Sequence, residues 1–208
     1  MAKSLIVNAW RTYRKRKTRI GIITDFLFLI IVIVAVVPQL RLGFCVYAIR
    51  ATLTQPRPYD KVLYLQNDSS VVQTAAGADT TVHWINSRPT IYNFCSLLSA
   101  QSRAEMKSLN HIAEFYQGAL NVYLVTDDDP EEFLKYINKR GYKYVRPLFY
   151  TDDNEAIAEH DFISEIRNSV PSTLLISSKG RVLVKKFGAA KWYGNRVKNM
   201  IDETIGEK

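Results

Sequence analysis

Cysteine is scarce in this sequence, with only Cys45 and Cys95 among 208 residues. Their wide separation excludes a small domain held together by a disulfide framework. Histidine is also scarce, and three scattered histidines with two cysteines predict no zinc site. Nine glycines and seven prolines are too few for a collagen-like or low-complexity chain. We therefore expect a folded domain of ordinary composition, without a metal and without a cofactor.

Acidic residues are absent from residues 1–19, which contain seven lysines and arginines. This block supplies most of the formal net charge of +8, because residues 60–208 hold 18 Lys and Arg against 19 Asp and Glu. A nearly neutral domain does not predict nucleic-acid binding. A nucleic-acid-binding tail is the less favoured interpretation of the block, since positive charge beside an apolar run is ordinarily a topology signal.

A long apolar run follows the basic block, from Ile20 to Val37, with Asp25 as its one charge. A helix of this length spans about 27 Å, close to the roughly 30 Å of the hydrocarbon core of a bilayer. We predict a transmembrane helix over residues 20–40, with residues 1–19 as a cytoplasmic tail by the positive-inside tendency. The domain that follows is then expected to lie outside the cytoplasm, tethered to the membrane by a single span.

Two other interpretations of the apolar run stay open. A cleaved signal peptide also has a basic region before an apolar one, but no clear Ala-x-Ala cleavage site follows Val37. An amphipathic helix lying on the membrane is opposed by the stretch from Phe26 to Val37, which is apolar on every side. An uncleaved anchor is the favoured interpretation.

Residues 41–60 end in Pro56 and Pro58, which predict a juxtamembrane linker before a domain over residues 61–208. Short β-rich runs then alternate with helical ones, which is typical of an α/β domain. This order predicts a central mixed sheet with helices on both faces and a terminal antiparallel hairpin. The predicted strands are 61–65 and 81–85, separated by a polar segment 67–79, then 90–97, 120–125, 146–150, 172–176 and 181–187; the predicted helices are 102–116, 130–141, 156–167 and one from 195.

Local signals predict where these helices begin and end. Ser102 and Glu105 form the S-x-x-E pattern of a capping box, and Gly141 follows the second predicted helix as its C-terminal stop. The acidic runs 127–129 and 152–153 lack the regular ligand spacing of a calcium loop. Because they lie where helices begin, helix capping and solubility are their expected roles.

The stretch from Asn93 to Leu109, NFCSLLSAQSRAEMKSL, resembles the active-site segment of the TlpA-like, membrane-tethered branch of the thioredoxin superfamily. In that family the pattern is similar to N-F-W-A-T-W-C-x-x-C-R-A-E-M-P-S-L. A later V-P-S-T-L-L-I run and a K-G turn extend the resemblance over residues 60–206. It implies a thioredoxin-like fold and a thiol-disulfide reductase family. It also implies a bacterial inner-membrane protein whose domain is periplasmic, in agreement with the predicted anchor.

The sequence departs from this motif where the family's chemistry occurs. Ser99 and Ser102 occupy the two cysteine positions, and Leu98 replaces the usual aromatic residue. No dithiol can form, because an alcohol has a far higher pKa than a thiol and cannot store a disulfide. A structural helix N-cap is the favoured role of either serine, since a serine nucleophile would need a nearby base such as histidine. Loss of the aromatic residue as well as the sulfurs favours natural drift over engineered replacement.

Two further residues flank the degenerate motif. Cys95 lies four residues before Ser99, and strand periodicity favours a buried, inert cysteine over a one-cysteine redox centre. The resemblance matches Pro171 to the proline that the family holds in the cis form facing the redox motif. Val170 would then keep a backbone edge for an extended peptide.

We expect a degenerate thioredoxin-like module that binds an extracytoplasmic protein or peptide without dithiol turnover. The alternative is a thiol-disulfide oxidoreductase that acts through Cys95 or through a partner's thiol. A purely structural membrane protein is a third possibility, and it would show no preference for peptides at this surface. The predicted binding residues are Leu98, Ser99, Ala100, Gln101, Ser102, Val170 and Pro171.

Overall fold

The computed structural model describes residues 18–65, 69–74, 77–150 and 169–206. The chain divides into two compact units, Met1–Cys45 and Val46–Lys208. Nearly all of the predicted cytoplasmic tail, the second acidic run and the helix predicted over 156–167 lie outside the described residues.

The first unit contains helix α1 (Arg19–Val36). It begins after Thr18, whose hydroxyl accepts a hydrogen bond from the Gly21 amide at 3.2 Å. The helix is long and apolar enough to cross a membrane, and none of its residues is buried. It therefore fits a single span. A signal sequence near an N-terminus has the same length and composition, and neither property fixes an orientation.

A second helix, α2 (Pro38–Thr52), begins directly after α1. Pro38 has no amide hydrogen to continue the ladder of α1, whereas the Val37 amide still donates to the Ile33 carbonyl at 3.0 Å. This break falls inside the predicted span of residues 20–40. The first part of the predicted linker, residues 41–60, is thus helical.

A seven-stranded mixed sheet forms the centre of the second unit. Its strands are β1 (Ser69–Thr74), β2 (Asp79–His83), β3 (Thr90–Phe94), β4 (Asn121–Thr126), β5 (Arg146–Phe149), β6 (Ser172–Ile176) and β7 (Val182–Phe187). The spatial order is β2-β1-β5-β4-β3-β6-β7, in which β3, β4 and β5 are parallel neighbours and the other pairs are antiparallel. The predicted mixed sheet and terminal hairpin are confirmed.

Apolar side chains pack on both faces of this sheet. On one face lie helices α3 (Ala100–Phe115), α4 (Pro130–Arg140) and α5 (Asn195–Gly206), which contribute the fully buried Met106, Phe133 and Ile201. On the other face, Trp84 packs edge-on against Tyr92 with ring centroids 4.8 Å apart. Within the described part of the chain, that second face carries no helix.

Several predicted elements differ from the structure, among them the following three. Residues 61–65 form no strand but a single bridge between Tyr64 and Arg181. The polar segment 67–79 contains β1. This strand pairs through its backbone with β2 and β5, and its polar composition gave no sign of that pairing. Helix α3 begins at Ala100, two residues before the predicted Ser102.

Residues 53–65, here called the docked segment, run along the domain and bond to it through the backbone. The Lys191 amide donates to the Thr54 carbonyl at 2.8 Å, and the Tyr59 amide donates to Leu183 at 2.8 Å. The amides of Val182 and Leu65 make similar bonds at 2.9 Å, to the carbonyls of Leu63 and Gly180. The second part of the predicted linker is therefore held against the sheet.

Candidate functional site at one edge of the sheet

The sheet brings the predicted site residues to a single edge. Phe94 pairs with Ser172 in the antiparallel ladder between β3 and β6. The loop that follows β3 therefore lies at the same edge as the residues that precede β6. Those residues include the Val170–Pro171 peptide, which is cis as the family resemblance implied.

Ser99 and Ser102 are both engaged in local structure. Ser99 is the N-cap of α3, and its Oγ accepts a hydrogen bond from the Ser102 amide at 3.2 Å. Ser102 is fully buried, and its Oγ accepts from the Ser96 amide at 3.3 Å. The N-cap expected at one of the two positions is thus found at Ser99. The capping box predicted for Ser102 with Glu105 is wrong, because Ser102 lies inside the helix and Glu105 turns into the core.

Two apolar side chains at this edge are open to solvent. Leu98, directly before the N-cap, is 88% exposed, and Val170 is 40% exposed. The first turn of α3 and the cis proline belong to the same edge. Ala100 and Gln101 belong to that turn and are partly or largely accessible. Of the predicted binding residues, Ser102 and Pro171 are buried, and the other five are accessible around a helix N-terminus.

Cys95 is not part of the accessible surface. Its side chain is 2% exposed in the core below the site, and its amide donates to the Val125 carbonyl at 2.9 Å. Burial, and to a lesser degree the carboxylates of Glu105 and the loop after β4, raises the pKa of the Cys95 thiol well above its ordinary value. The thiol is thus protonated at neutral pH, which disfavours a role as nucleophile. Cys45 belongs to the other unit.

Asp128 holds the loop that carries the exposed leucine. Its carboxylate accepts from the Leu97 amide at 2.6 Å, from Ser96 Oγ at 2.9 Å and from Thr126 Oγ1 at 3.0 Å. Capping explains only its neighbour Asp129, which accepts from the Glu132 amide at the start of α4. The position of Asp128, two residues after the buried strand β4, could have indicated its role. The carboxyl ends of parallel strands meet at one edge of a sheet, so Asp128 lies near the loop that follows β3.

Glu105 is the centre of a buried polar network directly beneath the site. Its Oε1 accepts from Asn93 Nδ2 at 2.7 Å, and its Oε2 accepts from the Ala190 amide and from Trp192 Nε1, both at 3.1 Å. Burial raises the pKa of Glu105 to about 7, against the opposing effect of these three hydrogen bonds. Asn93 also donates to Thr173 Oγ1 at 2.8 Å, while Asn93 Oδ1 has no partner among the described residues.

Solved structures of similar shape identify this arrangement. A thiol:disulfide interchange protein of the thioredoxin family from Chlorobium tepidum TLS matches with a TM-score of 0.53 and 14% identity, covering 74% of this chain and 97% of that one. A thiol:disulfide interchange protein from Bacteroides sp. matches with a TM-score of 0.54 and 14% identity, over 72% and 91%. BsSco, a member of the Sco family of cytochrome c oxidase assembly proteins, matches with a TM-score of 0.54 and 13% identity, over 73% and 99%.

The chain has a thioredoxin-like fold. Identities this low show the fold and not a shared activity. No family model matches the chain, and no curated protein sequence matches it.

The thioredoxin-like edge lacks the groups for two kinds of catalysis, within the part of the chain that is described. Its one thiol is buried and protonated, so thiolate attack on a disulfide is disfavoured. His111 lies on α3 about 14 Å along the helix axis from Ser102, too far to activate a hydroxyl there. His160 lies outside the described residues. No three His, Cys, Asp or Glu residues in the described ranges could hold a metal ion.

Proposed function

We propose that this chain is a membrane-tethered, extracytoplasmic module that binds a protein or peptide at its thioredoxin-like edge without dithiol turnover. The observation that carries the proposal is the contrast between Leu98 and Cys95. The side chain at the tip of the site is apolar and 88% exposed, whereas the thiol beneath it is 2% exposed. The accessible surface thus offers contact area and no accessible sulfur.

The binding mode proposed is contact with an extended segment beside Pro171. An extended peptide can pair with backbone groups at Val170 and place an apolar side chain against Leu98. A single exposed leucine is ordinary on a protein surface. Leu98 differs because the loop below it is fixed by the Asp128 carboxylate, so the side chain is presented without a further cost of ordering the loop.

The proposed location is the periplasmic side of a bacterial inner membrane. Helix α1 supports it through length and composition, and the basic residues before α1 support a cytoplasmic N-terminus.

The alternative function is a thiol-disulfide oxidoreductase that uses Cys95 or a partner's thiol. Two structures of similar fold favour it, since both are thiol:disulfide interchange proteins. The burial and raised pKa of Cys95 oppose it. A decisive experiment therefore has to separate binding from turnover.

Redox turnover is tested by the reduction of insulin disulfides with dithiothreitol, using the full chain in detergent. We expect no turnover by the native chain and none by Cys95→Ser. The variant Ser99→Cys with Ser102→Cys is expected to gain activity, because it restores two thiols at the N-terminus of α3. Native turnover that disappears in Cys95→Ser would establish the oxidoreductase instead.

Binding is tested with a library of immobilised, unstructured peptides and the same full chain. We expect a subset of peptides with apolar residues to bind, and Leu98→Glu to weaken that binding at least tenfold, since about 1.4 kcal/mol corresponds to a factor of ten. The matched control is Val62→Glu, which adds the same charge at a residue that is 74% exposed outside this edge. Equal binding by the two variants would contradict the proposal and leave a structural role.

A further inference from the structure

Two cavities of the second unit lie side by side between α2, α3 and the end of α4. One has a volume of about 200 Å³ and the other of about 480 Å³, and Arg50, Lys107 and His111 line both. The first also reaches Lys191, and the second reaches Arg140 and Lys143. These six residues define what we call the basic cleft.

The charge of the basic cleft is unlike that of the domain around it. Its five lysines and arginines face a single lining carboxylate, that of Glu114. Residues 60–208 as a whole hold slightly more acidic than basic residues. Cations gathered in this way repel one another, and the repulsion is relieved when an anion binds between them.

Arg50 is fixed in the basic cleft before any ligand arrives. Its Nε donates to the Ala104 carbonyl and its Nη2 to the Arg103 carbonyl, both at 3.2 Å, across 54 and 53 residues of sequence. The hydroxyl of Tyr142 accepts a further bond from Arg50, and burial nevertheless raises the pKa of Tyr142 above its ordinary value. The phenol therefore stays neutral and does not cancel the positive charge. Two of the five guanidinium N–H groups remain for a ligand.

We propose that the basic cleft binds a phosphate group, and that the phosphate is the head group of an anionic phospholipid. A fixed guanidinium fork matches the oxygen geometry of phosphate, and flexible lysines add point charges around it. The lipid is chosen as the source because Arg50 follows Val36, the last residue of α1, by 14 positions. A site this close in sequence to a membrane span is within reach of the bilayer surface. The choice of a lipid depends on the proposal that α1 lies in a membrane. The proposal of a phosphate site does not depend on it.

The test uses the full chain in two kinds of nanodisc, one of phosphatidylcholine and one of phosphatidylcholine and phosphatidylglycerol in equal parts. Lysine acylation measured by mass spectrometry reports which side chains are covered. A third sample contains phosphatidylcholine discs with added inorganic phosphate. Lys107→Gln with Lys143→Gln removes two cations of the basic cleft, and Lys61→Gln with Lys135→Gln removes two exposed cations that line neither cavity.

We expect phosphatidylglycerol to slow the acylation of Lys107, Lys143 and Lys191 by roughly fivefold or more, the factor that corresponds to one phosphate contact. The protection of Lys191 is expected to disappear in the first double variant and to persist in the second. Equal protection by inorganic phosphate in phosphatidylcholine discs would keep the phosphate site and replace the lipid by a soluble ligand. Unchanged acylation with both probes, or equal loss in both double variants, would overturn the proposal.

Discussion

A carboxyl group that is buried among three donors, that of Glu105, lies under the exposed edge, and its pKa is raised to about 7. Glu105 accepts bonds from two residues, Ala190 and Trp192, that follow it by more than 80 positions. It thereby ties α3 to the chain that precedes α5. Asn93 Oδ1 has no partner among the described residues. If the Asn93 amide rotates by 180°, this oxygen can accept a hydrogen bond from the protonated Glu105 carboxyl.

Stability is expected to fall as pH rises from about 4.5 to about 7, because Glu105 is protonated in the folded domain over that range and ionised in the unfolded chain. The loss is about 3 kcal/mol in the free energy of unfolding, and it levels off above the folded pKa. Urea denaturation of the full chain in detergent at a series of pH values measures it. Glu105→Gln cannot titrate and is expected to flatten this part of the profile. An unchanged profile in the variant would assign the pH dependence to other groups.

Replacing one of the two carboxylate oxygens of Asp128 is expected to loosen the loop that presents Leu98. In Asp128→Asn one oxygen becomes an amide nitrogen, so the side chain can no longer accept from both Ser96 Oγ and the Leu97 amide, and the charge that strengthens these bonds is lost. We expect a loss of about 1–3 kcal/mol in stability and faster hydrogen exchange of the Leu97 amide. Asp127→Asn is the control, because it changes the same charge at an exposed neighbour. Similar exchange in both variants would mean that the loop is held by other contacts.

Residue roles could be predicted where their partners are local. The N-cap at Ser99 and the stop at Gly141, whose φ is +68°, both depend on contacts within a few positions. The role of Glu105 could not be predicted, because the S-x-x-E pattern describes a local partner while two of its three partners, Ala190 and Trp192, come from the other end of the domain. Asp128 was missed for the same reason, since the loop that it holds precedes it by 31 positions.

At the scale of elements, regular apolar patterns were sufficient to predict the strands and helices whose side chains are buried in the core. Strand β6 has the predicted bounds, and α4 begins at the predicted Pro130. Strand β1 was missed because its pairing with β2 and β5 involves distant backbone groups, which a mostly polar sequence does not reveal. Residues 53–60 of the docked segment were interpreted as a linker, since prolines mark both linkers and extended chain that lies against a domain, and residues 61–65 were predicted as a strand.

The docked segment also supplies a cap for α5. Gln55 Oε1 accepts from the Arg196 amide at 2.9 Å, in the first turn of that helix. A Cβ atom on Gly194 would lie 2.3 to 2.7 Å from the Gln55 amide group, so Gly194→Ala is expected to displace this flexible side chain and leave the helix uncapped. We expect a loss of about 1 kcal/mol, measured by urea denaturation, with faster exchange of the Arg196 amide.

Gly206→Ala is the matched control for this substitution. Nothing lies within 4 Å of a Cβ atom at Gly206, so the same chemical change meets open space. We expect its stability to equal or slightly exceed that of the native chain. Equal stability of the two alanine variants would show that Gln55 contributes little to α5.

At the scale of the whole molecule, the basic residues before α1 determine the expected orientation in the membrane. Alkaline phosphatase fused to the C-terminus is expected to be active, and a fluorescent protein that matures only in the cytoplasm is expected to stay dark there. Changing the run of residues 14–17 to glutamine is expected to shift some molecules to the opposite orientation. Changing four lysines of the domain to glutamine controls for the lost charge. Absence of the N-terminal peptides from the mature protein would favour a cleaved signal instead.

The sheet ends on β7, and the docked segment covers the first half of that strand through backbone bonds at Gly180, Val182 and Leu183. An uncovered outer strand exposes amides and carbonyls that can pair with another chain. The docked segment thus also shields this edge of the sheet from self-association. Soluble fragments that begin after Leu65 are therefore expected to aggregate, and fragments for biophysical work should start before the docked segment.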